Sequence, residues 1–255
     1  MMVAVQTSRW RDLVLVQGAE GGVVWVIACD SLGGIGPQPL DAYRAPARVV
    51  GRAGARVVLM ELLACGATPL VLVDNLGVAM EPHGREILAG IREEVERCGL
   101  AGKVVVTGST EENVRTSQTF LGITGLGRAS PGELRLGRTA VGDAVLAVGV
   151  PKSAPLDPVD LDDPSVASPA TVLELLALDP VREILPVGSR GIRYEAEELA
   201  RGAGGVFVPV GLPPGLDLEK SAGPSTCVLV TVPREEVDPV LAALAVPCQV
   251  VGFIR

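Results

Sequence analysis

Apolar and polar residues follow one another along the chain in patterns that predict both strands and helices. Two apolar runs, residues 12–16 and 23–29, flank a glycine-rich segment and indicate a β-hairpin. Residues 46–65 and 84–98 carry apolar side chains at helical spacing, with charges on the other face of the second segment. Further strands are predicted at residues 69–73, 104–106 and 118–128.

The pattern lapses into polar turn residues around positions 130–137, and we place a domain boundary after residue 130. This predicts two domains, 1–130 and 131–255. In the second, Ser168 followed by Pro169 is typical of an N-cap and the first residue of a helix. Its other predicted elements are a proline-rich loop at 151–164, strands at 144–148, near 184, at 206–210, 226–232 and 249–254, and helices ending near 178 and at 193–202 and 235–244. Strands and helices in both halves predict α/β layers.

Composition limits the classes of function that the chain can have. The chain has 255 residues, 48% of them hydrophobic, and a formal charge of −8, so a sizeable core is expected and nucleic acid is an unfavourable partner. Five scattered cysteines and a single histidine argue against a zinc site and indicate reduced, buried thiols. The first residues lack a secretory leader and no apolar run reaches membrane-spanning length, so we expect a soluble cytoplasmic protein without a membrane partner.

The most suggestive chemistry follows the second predicted strand, where Asp30 and Ser31 precede the glycines Gly33, Gly34 and Gly36. Glycine lets backbone amides approach phosphate oxygens closely, and an aspartate at a strand end is a typical Mg²⁺ ligand. The spacing matches neither the dinucleotide-binding fingerprint nor a Walker A loop. An ordinary turn that contains an aspartate explains the segment equally well.

Other carboxylates occur at comparable places: Glu61 within an apolar helix and Asp74 after the next strand. The polar segment 107–113 follows a further strand and suits a phosphate or ribose contact, although a surface turn is the simpler interpretation. Lys152 and Lys220 lie in loops beside small residues, where each is either a phosphoryl contact or an ordinary surface lysine. His83 is more simply explained as a residue at a helix start.

Taken in order, these segments resemble the aminoimidazole ribonucleotide synthetase-like (AIR synthase-related) superfamily. Its Asp-Gly-Ile-Gly type loop is similar to residues 30–36. Its Asn-Asp, followed by an apolar stretch, Gly-Ala and then Pro, is similar to residues 60–69. Its later aspartate corresponds to Asp74, its Gly-Gly-Glu/Asp-Thr loop to residues 107–110, and its Gly-x-Pro-x-Ser segment to residues 147–153.

The resemblance implies two α/β domains, a homodimer formed through the N-terminal sheets, and ATP bound with Mg²⁺ for phosphoryl transfer to a small substrate. By this match the metal ligands are Asp30, Glu61 and Asp74, and Asp30 and Lys152 are the catalytic candidates. The implied ATP contacts are Ser31, Gly33, Gly34, Gly36, Gly108, Ser109, Thr110 and Glu112.

Within the superfamily the chain is most similar to the short α-ribazole kinases, through residues 28–36 and 107–113. That likeness implies phosphorylation of α-ribazole on its ribose 5′-hydroxyl, in cobalamin salvage. The chain departs from the superfamily at Glu61, where an aspartate is usual, and at Ser109, where an acidic residue is usual. The alternatives are a phosphotransferase of the thiamine monophosphate kinase type and a nucleotide-binding protein without turnover.

Overall fold

A computed structural model describes residues 5–18, 21–158, 160–211 and 216–255. Two residues of the predicted hairpin turn, 19 and 20, and residue 159 of the predicted loop lie outside these ranges. The chain divides into two compact units. The first comprises Met1–Leu62 and Ala67–Glu133, and the second comprises Leu63–Gly66 and Leu134–Arg255.

The first unit is a six-stranded sheet with helices. Its elements are β1 (Val5–Trp10), β2 (Leu13–Gly18), β3 (Val24–Gly33), β4 (Ile35–Gly36), β5 (Tyr43–Arg44), α1 (Ala47–Ala64), β6 (Thr68–Leu76), a π-helical turn (Met80–Gly84), α2 (Arg85–Arg97), β7 (Val105–Thr110) and β8 (Phe120–Ala129). The sheet order is β1-β2-β3-β8-β6-β7, antiparallel except for the parallel pair of β6 and β7. Strands β4 and β5 form a separate small parallel pair.

Helix α1 covers one face of this sheet, and small residues permit the close approach. A Cβ on Gly125 of β8 would lie 2.4 Å from Val58 Cγ1, and one on Gly54 of the helix would lie 2.7 Å from Leu121 Cδ2. Such distances are shorter than any van der Waals contact between carbon atoms, so larger side chains would push the layers apart.

The two helices of this unit touch through their backbones. A Cβ on Gly51 of α1 would lie 2.0 Å from the carbonyl oxygen of Ile87, and one on Gly90 of α2 would lie 2.0 Å from that of Arg48. Beside this crossing, Arg52 Nε donates to Glu94 Oε2 at 3.0 Å, and both side chains are buried. The close crossing therefore holds a small ion network away from water, in which Arg52 also approaches Glu93 at 3.6 Å and Glu94 also approaches Arg56 at 3.8 Å.

The second unit has a five-stranded antiparallel sheet. Its elements are β9 (Ala144–Val148), α3 (Pro169–Leu176), β10 (Glu183–Pro186), α4 (Gly191–Gly202), β11 (Phe207–Pro209), β12 (Val228–Val232), a 3₁₀ turn (Arg234–Glu236), α5 (Val237–Ala243) and β13 (Cys248–Ile254). The sheet order is β10-β12-β9-β13-β11. Its core combines the central strands with α4, through Ile192, Ala196 and Leu199.

Most predicted elements are confirmed within a few residues, including the N-cap of α3, where Ser168 and Thr171 form a reciprocal capping box. The prediction of a loop at residues 107–110 is wrong, because these residues continue strand β7. Their small polar side chains fit an edge strand with one exposed side. Strand β1 was not predicted, since its polar sequence lacks a buried face. The five thiols are free as expected, but Cys29 is exposed and Cys248 is only partly buried, contrary to the prediction of buried thiols.

Every helix in the described ranges is too short or too polar to cross a lipid bilayer.

Replacing Gly90 by alanine tests the helix crossing. The added methyl group would meet the backbone of α1, so we expect the free energy of unfolding to fall by about 2 kcal/mol or more. Urea unfolding followed by circular dichroism measures the change. Gly132→Ala is the control, because a Cβ there meets no atom within 4 Å. Equal stability of the two variants would contradict the close crossing.

Candidate functional site

The register of the first sheet brings two predicted site residues to one level. Asp30 on β3 and Asp74 on β6 both lie directly opposite Ile123, on the strand β8 between them. Directly opposed residues in antiparallel pairs point to the same face of the sheet. Because β8 lies between β3 and β6, the backbones of Asp30 and Asp74 are two strand spacings apart, about 10 Å. The two carboxylates therefore share the face of the sheet on which α1 packs, separated by one apolar side chain.

Both carboxylates are shielded from water, Asp74 more completely than Asp30. Asp74 is 1% exposed, and its Oδ2 atom is buried and makes no hydrogen bond to any other described residue. Burial raises the pKa of Asp74 to about 6, against the opposing influences of a backbone hydrogen bond and of Arg92. Burial also raises the pKa of Asp30, while a hydrogen bond from the Ser31 backbone lowers it. A buried carboxylate oxygen of this kind is stabilised by a cation or a hydrogen-bond donor.

Gly108 makes room for the Asp74 side chain. It is the residue of β7 that pairs with Asp74, and a Cβ on it would lie 2.5 Å from Asp74 Oδ1. A cavity of about 180 Å³ lies here, lined by Asp74, Arg92, Gly108, Ser109, Thr110 and four neighbouring residues. The structure thus brings three of the predicted ATP contacts, Gly108, Ser109 and Thr110, together with a predicted metal ligand.

The glycine-rich segment is a tightly packed turn. Ser31 and Gly33 belong to strand β3, beside Asp30. The Gly34 amide, predicted to be available for phosphate, instead donates to the carbonyl oxygen of Thr119 at 2.9 Å. Gly36 has φ = 151°, and a Cβ there would lie 2.4 Å from Thr119 Oγ1. Glycine at position 36 is therefore required by backbone conformation and by space.

Asp41 fixes this turn and was missed in the sequence. Its Oδ1 accepts from the Thr119 amide, and its Oδ2 accepts from Thr119 Oγ1 and from the Gln38 amide, each at 2.7 Å. Three hydrogen bonds from donors on two segments tie the end of the turn to the start of β8. The only available signal was an aspartate that closes a Gly- and Pro-rich loop, a common position for side chains that bond the local backbone.

Comparison with known proteins agrees with this architecture. Residues 14–129 match the family model described as "AIR synthase related protein, N-terminal domain". Most of the N-terminal unit is therefore similar to that domain. No curated protein sequence matches the chain significantly.

Solved structures extend the likeness to most of the chain. The HypE–HypF complex is similar at 16% identity over 92% of this chain and 84% of the other, with a TM-score of 0.65. The hydrogenase maturation protein HypE in complex with ATP is 17% identical over 89% and 76%, with a TM-score of 0.59. Thiamine-monophosphate kinase from Stenotrophomonas maltophilia K279a is 16% identical over 98% and 88%, with a TM-score of 0.61. At these identities the matches show a shared AIR synthase-like fold.

Glu112, a predicted ATP contact, has local hydrogen-bond partners. Its Oε1 accepts from the Met80 amide at 2.8 Å and from Thr110 Oγ1 at 2.7 Å. These bonds, the first of them above all, lower the pKa of Glu112. Neighbouring Glu111 accepts from the amides of Asn113 and Val114. Both carboxylates stabilise the turn after β7, so a direct ATP contact by Glu112 would compete with existing bonds.

Glu61 stands apart from the two aspartates. It lies seven residues beyond Gly54, which packs near Ile123, and seven residues of helix span about 10 Å along the axis. Within the described ranges no three His, Cys, Asp or Glu side chains are grouped as a metal site. The predicted set of Asp30, Glu61 and Asp74 is therefore not assembled as one cluster. Mg²⁺ commonly takes only one or two protein carboxylates, with phosphate and water completing its shell.

Lys152, the other catalytic candidate, lies in the second unit. Its ammonium group pairs with Asp163, and this bond is the main reason that the pKa of Asp163 is held far below its usual range. Its backbone amide donates to Thr226 Oγ1 at 2.8 Å. Lys220 similarly pairs with Asp157 at 2.8 Å. Both lysines link loops of their own unit, and the catalytic role of Lys152 stays a prediction.

Asp74→Asn tests the burial of the carboxylate. A carboxyl group whose pKa is about 6 in the folded state and about 4 in the unfolded state stabilises the fold most below pH 4. That stability is lost as the pH rises through 6. The variant should therefore gain about 2 kcal/mol relative to wild type between pH 4 and pH 8.

Urea unfolding at both pH values, without divalent cations, measures this difference. Asp12→Asn is the control, because Asp12 lies on an exposed turn. Identical pH dependence of the Asp74→Asn variant and wild type would show that the Asp74 carboxyl is not desolvated.

Proposed function

We propose that the protein is an ATP- and Mg²⁺-dependent phosphotransferase acting on a small hydroxyl-bearing molecule. The observation that carries the proposal is the pair of desolvated carboxylates, Asp30 and Asp74, on one face of the sheet on either side of Ile123. Two carboxylates that burial makes reluctant to ionise are suited to a bound cation, whose charge offsets their desolvation.

The donor set fits magnesium. The unsatisfied Oδ2 of Asp74 is the oxygen most in need of a positive partner, and Asp30 offers a second carboxylate on the same face. Because their strands are about 10 Å apart, each aspartate would hold Mg²⁺ through its own carboxylate, and the bound ion would supply neutralisation of phosphate charge. ATP as the phosphoryl donor is supported by the fold, since one protein that shares it is HypE in complex with ATP and another is named a kinase.

For the acceptor we propose α-ribazole, on the resemblance of residues 28–36 and 107–113 to α-ribazole kinases. In the transfer, the ribose 5′-oxygen forms a bond to the γ-phosphorus and the bond to the ADP oxygen breaks. The hydroxyl proton passes to a carboxylate. Asp30 is our choice for that group, because it is the less deeply buried of the two carboxylates on this face of the sheet.

We also propose that two copies associate through the first sheet, as the resemblance implies. The face of the sheet opposite α1 carries exposed apolar side chains, among them Val14, Trp25 and Val105. Burying them against a second copy would remove apolar surface from water. Analytical ultracentrifugation measures the mass directly, and a single species at the mass of one chain would refute this association.

Asp30→Asn tests the proposed chemistry. With purified protein, Mg·ATP and α-ribazole, wild type should release ADP and add the mass of one phosphate to α-ribazole. Neutralising Asp30 removes a metal ligand and the base, so kcat/KM should fall at least about 100-fold. Asp12→Asn, on an exposed turn, is the matched control and should act as wild type.

The other outcomes separate the alternatives. Transfer to thiamine monophosphate in place of α-ribazole would assign a different acceptor to the same chemistry. Binding of Mg·ATP without transfer to either molecule would make the protein a nucleotide-binding protein without turnover. Full activity of Asp30→Asn would reject the proposed carboxylate site.

A further inference from the structure

A second, larger depression lies on the first unit, where the parallel strands β6 and β7 end. It encloses about 660 Å³, which is within the range of about 300–1,000 Å³ typical of small-molecule sites. Its lining comes from the end of β6, the end of β7 and the segment that leads into β8. We call it the Phe120 groove. Local sequence patterns do not indicate it, because its residues are far apart along the chain.

The groove contains an exposed aromatic ring supported by glycines. Phe120 is 47% exposed, in a chain with only 3% aromatic residues. A Cβ on Gly33, Gly77 or Gly122 would lie within 3.7 Å of this side chain. Glycine at all three positions, on three neighbouring stretches of chain, leaves the ring close to the backbone and uncrowded by side chains. A planar ligand could therefore stack on it.

Polar side chains without partners surround the ring. Asn75, Ser109, Ser117 and Arg115 all line the groove, and none has a side-chain hydrogen bond or ion pair to another residue in the described ranges. Their donors and acceptors are free to contact a ligand, and Arg115 adds a positive charge. Thr116 and Gln118, by contrast, bond the Gly77 and Leu40 carbonyl oxygens and stabilise the wall.

The groove adjoins the carboxylate site. Ser109 and Thr110 line both the Phe120 groove and the smaller cavity that contains Asp74. Phe120, Asn75 and Ser109 lie on the face of the sheet opposite α1, because residues alternate between faces along each strand. A molecule whose ring lay on Phe120 would therefore have its other end beside Ser109, at the edge strand that separates the groove from the Asp74 cavity. This arrangement suits a ligand that joins a flat ring to a sugar.

We propose that the Phe120 groove binds a nucleoside: its heteroaromatic ring stacks on Phe120 and its ribose faces Ser109 and Asn75. The proposal deepens the proposed function, on which it rests for the identity of the reacting molecules. Two of those molecules share this chemistry, the adenosine part of ATP and the acceptor α-ribazole, and the experiment distinguishes them.

Equilibrium dialysis with ATP, adenosine and α-ribazole, each with Mg²⁺ present, tests the groove without requiring turnover. For the molecule that occupies it, Phe120→Ala should raise Kd about ten-fold, the usual effect of losing one aromatic stacking partner. Phe120→Tyr keeps the ring and should bind within about two-fold of wild type. If Phe120→Ala loses affinity for ATP and adenosine, the groove binds the phosphoryl donor. If it loses affinity for α-ribazole alone, the groove binds the acceptor.

Leu173→Ala is the control, since Leu173 is 39% exposed on α3 and does not line the groove. Wild-type affinity of Phe120→Ala for all three molecules would overturn the proposal, as would an equal loss of affinity in Leu173→Ala or no binding by wild type. Phe120-dependent binding without phosphate transfer would reject the proposed function and keep the groove. Phosphate transfer by wild type, together with unchanged binding in Phe120→Ala, would keep the proposed function and reject the groove.

Discussion

The pairing of β8 with both β3 and β6 is the interaction on which the site depends. Ile123 of β8 has Asp30 as its neighbour on one side and Asp74 on the other. Hydrogen bonds between strands, rather than any contact between the two carboxylates, set their separation and direct them to one face. A shift of the β8 register by one residue would turn the buried face outward and place Gly122 or Thr124 between them.

The main destabilising group in this arrangement is the buried carboxylate of Asp74. A carboxylate that is 1% exposed, with one oxygen lacking a partner among the described residues, destabilises the fold when it is charged. Natural proteins keep such groups mainly where a ligand or ion provides the missing interaction. The packing around Asp74 supports this interpretation, because Gly108 and the small residues after it leave the carboxyl group accessible from a cavity instead of enclosing it in the core.

Much of the fold could be predicted from the sequence, because its helices have clear amphipathic periods and its buried strands are short apolar runs between turns. Strand β7 beyond residue 106 could not, since an edge strand needs only one buried face and its composition is that of a loop. Asp30, Asp74 and the segment 107–110 are candidates that local chemistry alone suggests. Their true neighbours depend on sheet order, which local patterns do not determine. For the same reason the Phe120 groove, whose parts come from three distant segments, was not predicted.

The hydrogen bonds from Thr119 to Asp41 affect the order in which the first unit folds. They join residues that are 78 positions apart, and the intervening chain contributes α1, β6, α2 and β7. Contacts of such long range form late, because the entropy of closing a long loop must be overcome before they stabilise the chain. The glycine-rich turn can take its native shape only after β8 has joined the sheet. A chain emerging from the ribosome would therefore lack this turn until most of the first unit had been synthesised.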